Sequence, residues 1–221
     1  MRSDSPISKP EWRSLYRRWA PYYDAGLWLY ALVGYRMSRY RHRAIRGLAL
    51  RPGDTVVDLG CGTGVNFAHL YEAVGPEGRI IGVDLTDAML DQARARARRA
   101  GWKDVELVEA DLAEYAFPAD VDGVLSTFAV AVVPEYDDVI RRGAGALRSG
   151  GRMALCGMKR PGGWPEWLLR LGAWVQRPFG VRLEYAEHRP WASLQRYLHE
   201  VSYEEQYFGA NYVSVGEKTD S

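Results

Sequence analysis

Three alternating glycines, Gly60, Gly62 and Gly64, close the segment Val56-Val57-Asp58-Leu59-Gly60-Cys61-Gly62-Thr63-Gly64. An apolar strand that runs through such a loop into a helix brings backbone amides and a helix N-terminus to one point, where a ligand can lie against bare backbone. The spacing separates the ligand classes. A dinucleotide fingerprint needs G-x-G-x-x-G, and Val65 stands where its third glycine would be. A Walker loop needs Gly-Lys-Ser/Thr, which is absent here. One acid, Asp58, precedes the first glycine by two positions; a second, Asp84, ends Ile80-Ile81-Gly82-Val83-Asp84, twenty residues after Gly64. At that offset an acidic side chain meets a ribose diol in nucleotide-binding βαβ units, because a carboxylate offers two acceptor oxygens to two hydroxyl donors. The alternative is that Asp84, like Asp87, only caps the next helix. A third acid, Asp111 in Glu109-Ala110-Asp111-Leu112, can accept from an exocyclic amine while Leu112 packs on the ring.

Such residues need a scaffold that ends several strands at one rim. Apolar runs predict strands over 55–59, 79–83, 105–109, 121–126 and 152–157. Between them, helical patterns run over 65–74, 88–100 and 136–147, the second with Arg94, Arg96, Arg98 and Arg99 on a solvent face. This alternation predicts right-handed βαβ crossovers, hence an α/β fold with a parallel sheet and helices on both faces. Upstream, Glu11 to about Leu48 reads as two helices broken at Pro21. Downstream of Gly157 come Trp164, Trp167, Trp174 and Phe179, a helix near 191–200, and β-rich stretches at 202–208 and 211–217 that could pair as a closing hairpin. No linker divides the 221 residues. The chain reads as one domain: an N-terminal helical cap (1–50), a binding core (51–160) and substrate-side helices with the hairpin (161–221).

From Pro52 to about Gly157 the chain resembles the Rossmann-like, class I S-adenosylmethionine-dependent methyltransferases, through VVDLGCGTG, IIGVDLTDAML, VEADL and LRSGGRMAL in that order. The resemblance implies a seven-stranded, mostly parallel sheet with an antiparallel last strand, and S-adenosylmethionine as cofactor. It sets Gly60, Gly62 and Gly64 along the methionine part, with Asp58, Cys61 and Thr63 in the same loop. It sets Asp84 on the ribose hydroxyls beside Leu85, Asp111 and Leu112 at the adenine, Met89 against the ring, and Thr127 after the fourth strand. The segment Tyr16-Arg17-Arg18-Trp19-Ala20-Pro21-Tyr22-Tyr23-Asp24 resembles the Y-x-x-W/V-A-x-x-Y-D opening of the ubiquinone/menaquinone methyltransferase-like group, which bacterial phosphatidylethanolamine N-methyltransferases share in a close version. Ala131-Val132-Val133-Pro134-Glu135 also resembles the phospholipid enzymes. By that resemblance Tyr16 touches the cofactor and Tyr23 is the candidate catalytic side chain; both could instead be core aromatics of the cap. The quinone enzymes' Asn-containing segment after the fourth strand is missing. So is the Asn/Asp-Pro-Pro-Tyr/Phe box of DNA and glutamine N-methyltransferases, where Ser126-Thr127-Phe128 stands.

Methyl transfer from a sulfonium is an in-line displacement, so such a protein mainly positions the reactants. A base is needed only if the acceptor must lose a proton. His42, His69, His188 and His199 all lie away from the end of the fourth strand and read as surface or packing residues. The expected acceptor is small and lipophilic, a phospholipid amine or a quinone-like ring. A soluble small-molecule N- or O-methyltransferase and a non-catalytic, cofactor-binding partner subunit are the rivals.

Hydrophobic residues make up 47% of the chain and charged residues 26%, as in a folded protein with a full core. Cys61 and Cys156 stand too far apart for a ligand pair, so neither a disulfide framework nor a metal site is expected, and a reducing cytoplasm is. The apolar run Ala25–Gly34 is too short to span a bilayer and too late for a signal peptide. A net charge of +1 conceals a split: ten basic against three acidic residues give +7 in the first 50, and 19 against 25 give −6 in the rest. The same 50 residues hold nine of the 27 aromatics. Reversible contact with an anionic membrane, through this stretch and Trp164–Phe179, is therefore expected alongside the plainer reading of a packed cap with a solvated arginine face. Nucleic acid is not an expected partner, and the sequence assigns no oligomeric state.

Overall fold

The computed structural model describes residues 8–32, 37–165, 167, 185 and 187–220. Strand β1 (Thr55–Leu59) is the spine of a seven-stranded sheet, buried at four of its five positions. Both faces are covered, which is why its sequence is a continuous apolar run interrupted only by Asp58. β2 (Arg79–Asp84) and β4 (Val121–Thr127) flank it in parallel, placing Val83 and Ser126 opposite Leu59. β3 (Val105–Glu109) adds outside β2, and β5 (Leu147–Met158) adds outside β4, both parallel. β6 (His199–Gln206) and β7 (Asn211–Glu217) form the closing hairpin, with β7 antiparallel to both β5 and β6. The strand order is β3-β2-β1-β4-β5-β7-β6.

The two-residue period of the strands sorts the core into two layers. Val56, Ile80, Leu125 and Ala154 face α3 (Met37–Gly47), α4 (Phe67–Val74) and α5 (Asp87–Ala100). Val57, Ile81, Val124 and Leu155 face α6 (Tyr136–Ala146) and α7 (Pro190–Tyr197). Phe67, Leu70 and Val74 form the buried face of α4, each contributing about 1.5–3 kcal/mol by leaving water. Gly101 in the left-handed conformation ends α5.

The cap comprises α1 (Lys9–Trp19), a 3₁₀ turn at Ala20–Tyr22 that contains Pro21, and α2 (Tyr23–Leu32). The second expected helix is thus described as two segments, α2 and α3. At the start of α1 the Glu11 carboxylate accepts from the Ser8 amide and hydroxyl at 2.9 and 2.8 Å. Charges of the first fifty residues meet opposite charges further along the chain: Arg17 forks onto Asp87 with two bonds of 2.8 Å, Arg43 of α3 pairs with Glu204, and Asp24 pairs with Arg96.

Several boundaries differ from expectation: β6 spans His199–Gln206 where 202–208 is expected, α4 starts at Phe67 and not at 65, and β5 and α7 are also shifted. β5 begins at Leu147 instead of 152, because a register shift lets Leu147 pair with Val121 before Arg152 pairs with Gly123. α7 ends at Tyr197, short of 200, because Leu198 is extended and His199 already pairs with Glu217. Of the Trp164–Phe179 stretch, Trp164 and Trp167 are described; Trp174 and Phe179 lie outside the described residues.

Candidate functional site

The parallel register carries the C-terminal ends of β1, β2 and β4, and the loop after β3, to one rim. There a cavity opens at the β1–β4 boundary, where the strand order reverses. Such a switch point is where open α/β sheets take ligands.

The three glycines do three different things. Gly60 has φ +67°, and a Cβ there would lie 2.2 Å from the Ala129 Cβ, so the loop presses against the 3₁₀ segment that follows β4. Gly62 has φ +56°, and a Cβ there would meet nothing within 4 Å, because the residue faces the open cavity. At Gly64 a Cβ would come within 2.7 Å of the Phe67 ring and 3.3 Å of the Ala93 Cβ; its bareness brings the loop down onto α4 and α5.

Asp84 holds this loop in place. Its Oδ2 accepts the Gly62 amide and its Oδ1 the Thr86 amide, both at 2.9 Å. Burial pushes its carboxyl up to about 6, against the pull of those amides. Leu85, Thr86 and Met89 continue the wall, then Asp111 and Leu112 from the loop after β3. Asp111 Oδ1 accepts the Ala113 amide at 2.9 Å, and its Oδ2 pairs with Lys9 Nζ at 2.5 Å. From the cap, Lys9, Trp12 and Tyr16 reach the cavity from one face of α1, and Tyr23 joins them from α2. The rings form a series, with Trp12–Tyr16 stacked at 5.4 Å and Tyr16–Tyr23 tilted at 6.3 Å. Burial raises both tyrosine hydroxyls, although Arg41 pulls Tyr23 the other way. Both therefore stay protonated near neutral pH and can donate a hydrogen bond; neither is a base there.

Thr127, Phe128, Ala129, Val132, Val133 and Pro134 complete the wall after β4. Below it lies a closed polar network. Asn66 Nδ2 donates to both oxygens of Asp58, at 3.1 and 3.0 Å, and to Thr127 Oγ1 at 3.0 Å. Asn66 Oδ1 accepts from Arg41 Nη1 at 3.3 Å. Amine toward carboxylate and carbonyl toward guanidinium is the one amide orientation that satisfies both neighbours.

Of the residues singled out in the sequence, Tyr16, Tyr23, Gly60, Cys61, Gly62, Asp84, Leu85, Met89, Asp111, Leu112 and Thr127 lie on the cavity wall. Asp58, Thr63 and Gly64 do not. Asp58 is fully buried beneath Asn66, and Thr63 donates to Asp24 Oδ1 at 2.7 Å, tying loop to cap. The Cys61 thiol is raised well above its ordinary range by burial, so it packs as a thiol. No histidine is on the wall. His42 and His69 stack on each other at 4.7 Å, and His188 Nδ1 lies 2.7 Å from the Ala131 carbonyl. Sequence reasoning missed Lys9, Trp12, Arg41 and Thr86. The spacing Lys9, Trp12, Tyr16 is a helical face and could have revealed the first two; Arg41 carries no local signal.

The buried acids give the ligand-free protein a pH dependence. Burial pushes Asp58 up to about 7, with Asn66 and Arg41 opposing. Asp58 and Asp84 thus bind a proton more tightly folded than unfolded. The stability this contributes is complete below about pH 4 and is lost as the pH rises through 6 and 7. Raising a single carboxyl by one pH unit is worth about 1.4 kcal/mol, or roughly 3–5 °C in Tm for a chain of this size. The Tm is expected to climb between pH 8 and pH 5.5, and Asp58→Asn to flatten the climb. A thermal melt series that is as steep in the variant as in the wild type removes Asp58 as its source.

The strand order, the reversed β7 and the glycine loop at the switch point together define a Rossmann-like methyltransferase fold. The structure superposes on a Haloferax volcanii methyltransferase solved in complex with the Trm112 methyltransferase activator, with a TM-score of 0.69 at 20% identity over 95% of this chain and 98% of that one. Residues 56–151 match the methyltransferase-domain family. The chain is 36% identical over 129 residues to nocamycin O-methyltransferase of Saccharothrix syringae, covering 57% of this chain and 46% of that enzyme. It is 26% identical over 170 residues to demethylmenaquinone methyltransferase of Listeria welshimeri, covering 75% and 71%. The chain thus spans about half the length of the first of these relatives. Residues 56–151 thus resemble the methyltransferase domain of class I S-adenosylmethionine-dependent methyltransferases.

Proposed function

We propose that the protein transfers the methyl group of S-adenosylmethionine to a small, lipophilic acceptor, a phospholipid amine or a quinone-like ring, in the cavity at the β1–β4 switch. One observation carries this reading: a single cavity joins the glycine loop and its acids to the apolar wall of Phe128, Ala129, Val132, Val133 and Pro134. The residues fit the cofactor, because the space at Gly62 is a cradle that a Cβ would fill. The cofactor supplies an electrophilic methyl on sulfur. The Asp84 carboxylate is placed to accept from the ribose hydroxyls and Asp111 from an exocyclic amine, while Met89 and Leu112 offer apolar contact to a ring. Tyr16 and Tyr23 can donate hydrogen bonds from the cap side, and the apolar wall excludes water from the reacting centre.

The apolar wall and the similarity to demethylmenaquinone methyltransferase across most of the chain support a lipophilic acceptor. The nocamycin relative supports the rival, a soluble small-molecule O-methyltransferase. Incubation of the full chain with methyl-labelled cofactor and lipid extract, quinone precursors or a metabolite pool, followed by mass analysis, separates them. Label in the solvent-extractable product is expected. Label in water-soluble product alone selects the rival, and cofactor binding without any labelled product selects a non-catalytic partner subunit.

In this reading Lys9 holds the acid that the adenine amine needs, so Lys9 and the cofactor compete for the Asp111 carboxylate. The Lys9 side chain is half exposed, and such pairs contribute up to about 1 kcal/mol. Lys9→Met is therefore expected to raise affinity for S-adenosylhomocysteine by up to about fivefold, less at high salt. Titration calorimetry showing weaker binding in the variant would mean that Lys9 supports the ligand instead.

The same reading has the protein act in the cytoplasm, at the surface of an anionic membrane. Among the described residues no helix is long and apolar enough to cross one. Tyr22 and Trp167 stand 65% and 67% exposed and suit an interfacial contact. Binding to anionic vesicles is expected to weaken with salt and with Trp167→Ala. A wild type that stays in the supernatant with such vesicles at low salt leaves the acceptor a soluble one.

A further inference from the structure

Three backbone carbonyls of the loop after β3 share one donor. Arg142 of α6 sends Nη2 to the Leu112 and Ala113 oxygens at 2.9 and 2.8 Å and Nη1 to the Tyr115 oxygen. Its Nε donates to Asp138 Oδ2 at 2.8 Å, and its guanidinium carbon lies 5.7 Å from the centre of the Phe117 ring. Gly143 makes room for that ring, since a Cβ there would stand 3.4 Å from it and 2.7 Å from Met153 Cε. The neighbouring Arg141 is exposed and, among the described residues, bonds only to Asp138. A loop carbonyl lacks the ladder partner of a strand and is costly to leave unpaired. A guanidinium, with five N–H donors in a fixed fork, can serve three of them and a carboxylate.

The Leu112–Ala113 peptide connects this arginine to the cavity. Its oxygen accepts from Arg142, and its N–H donates to Asp111 Oδ1 at 2.9 Å. The peptide group is planar, so the side chain that fixes the oxygen also fixes the direction of the N–H. A cationic donor on the oxygen further polarises that N–H toward its carboxylate. Asp111 and Leu112 line the cavity; Arg142 stands one layer behind them.

We propose that Arg142 is a positioning residue for the purine end of the cavity: it holds the Leu112–Ala113 peptide, and through it the Asp111 carboxylate, where an exocyclic amine meets it, and so sets a preference for a 6-amino over a 6-oxo purine. The role rests on the cofactor reading above. A carboxylate accepts from an amine but gains nothing from a carbonyl oxygen, which has no proton to give. That discrimination lasts only while the carboxylate is held in place. Without Arg142 the peptide is free to turn, and Asp111 is left to its pair with Lys9.

Calorimetry on the full chain with S-adenosylhomocysteine and S-inosylhomocysteine, which carry an amine and an oxygen at the same purine position, tests the role. The wild type is expected to prefer the first about tenfold or more. Arg142→Met is expected to cut that preference to about threefold or less, weakening S-adenosylhomocysteine and sparing S-inosylhomocysteine. Arg142→Lys, whose three donors sit on one nitrogen, should keep a preference between the two. A merely structural arginine would lower the Tm and both affinities by one common factor. That result, or an unchanged preference, overturns the proposal. Should Arg142→Met fail to fold by thermal melt, Arg142→Lys is read alone: a smaller preference supports the role and a uniform loss overturns it. A wild type that binds both ligands alike overturns the purine preference, whereas one that binds neither defeats the cofactor reading itself. Amide hydrogen exchange on the ligand-free chain then judges Arg142 separately. Arg142→Met is expected to speed exchange of the Ala113, Glu114 and Tyr115 amides, all of which donate to Asp111, about tenfold relative to the amides of β1 and β4; equal protection overturns the positioning.

Discussion

Asp84→Ala is expected to weaken S-adenosylhomocysteine binding at least about tenfold, since each charge-assisted hydrogen bond to a ribose hydroxyl is worth roughly 1.5–3 kcal/mol. The loss has a second source in this structure. The same carboxylate accepts the Gly62 and Thr86 amides, so its removal also frees the loop that must cradle the ligand. Asp84→Asn separates the two, because the amide keeps one acceptor oxygen and the shape of the side chain. It is expected to fall between the wild type and Asp84→Ala. The ionised form is the better acceptor, so wild-type affinity should also decline as the pH drops through about 6, where burial has moved this carboxyl. Calorimetric titrations of Asp84→Ala that match the wild type would falsify the ribose assignment.

The second large effect is a contrast between two glycines separated by one residue. Gly60→Ala forces a Cβ to within 2.2 Å of the Ala129 Cβ at a φ of +67°. Overpacking costs roughly 1–3 kcal/mol and a left-handed non-glycine residue roughly 1–2, so the variant should melt many degrees lower whether or not ligand is present. Gly62→Ala carries only the conformational cost, because nothing lies within 4 Å of the new Cβ. Its ligand-free Tm should fall by only a few degrees, yet its affinity for S-adenosylhomocysteine should drop more than about tenfold, the Cβ now occupying the cradle. Equal melting losses in the two variants, or wild-type affinity in Gly62→Ala, would show that the open side of the loop is not where the donor lies.

The split between a basic N-terminal stretch and an acidic remainder takes on an intramolecular meaning in the fold. Lys9, Arg17 and Arg43 each pair with an acid of the core, and Asp24 returns the pairing to Arg96. The two halves of the charge pattern are in part complementary faces of one molecule. These pairs are largely exposed and individually weak; Arg17–Asp87 ties α1 to α5, Asp24–Arg96 ties α2 to α5, and Lys9–Asp111 ties the start of α1 to the loop after β3.

Much of the scaffold was legible because it is local. Short apolar runs identified β1 and β3 to the residue, at Thr55–Leu59 and Val105–Glu109. The hairpin was likewise legible as two β-rich runs around a turn. The departures occur where a partner strand decides. The early start of β5 depends on a register shift against β4, and the early end of α7 on a hydrogen-bond ladder to β7. Neither is visible in the residues of β5 or α7 alone.

The sequence by itself determined the chemistry that sits at strand ends. The alternating glycines, Asp84 and Asp111 occupy positions that any parallel α/β sheet must bring to one rim. Only the tertiary structure decided which neighbours those groups keep. It put Asp58 beneath Asn66 and away from the cavity, gave Asp111 to Lys9 across about a hundred residues of chain, and turned Arg41 alone of four α3 arginines inward. The reason is geometric. A side chain's neighbours across the fold depend on how one helix is rotated and seated against a sheet. That seating is settled by the whole packed interface, Tyr40, Ala44 and Ile45 against Val213 and Val215 in the case of α3, and by no pattern within the helix itself.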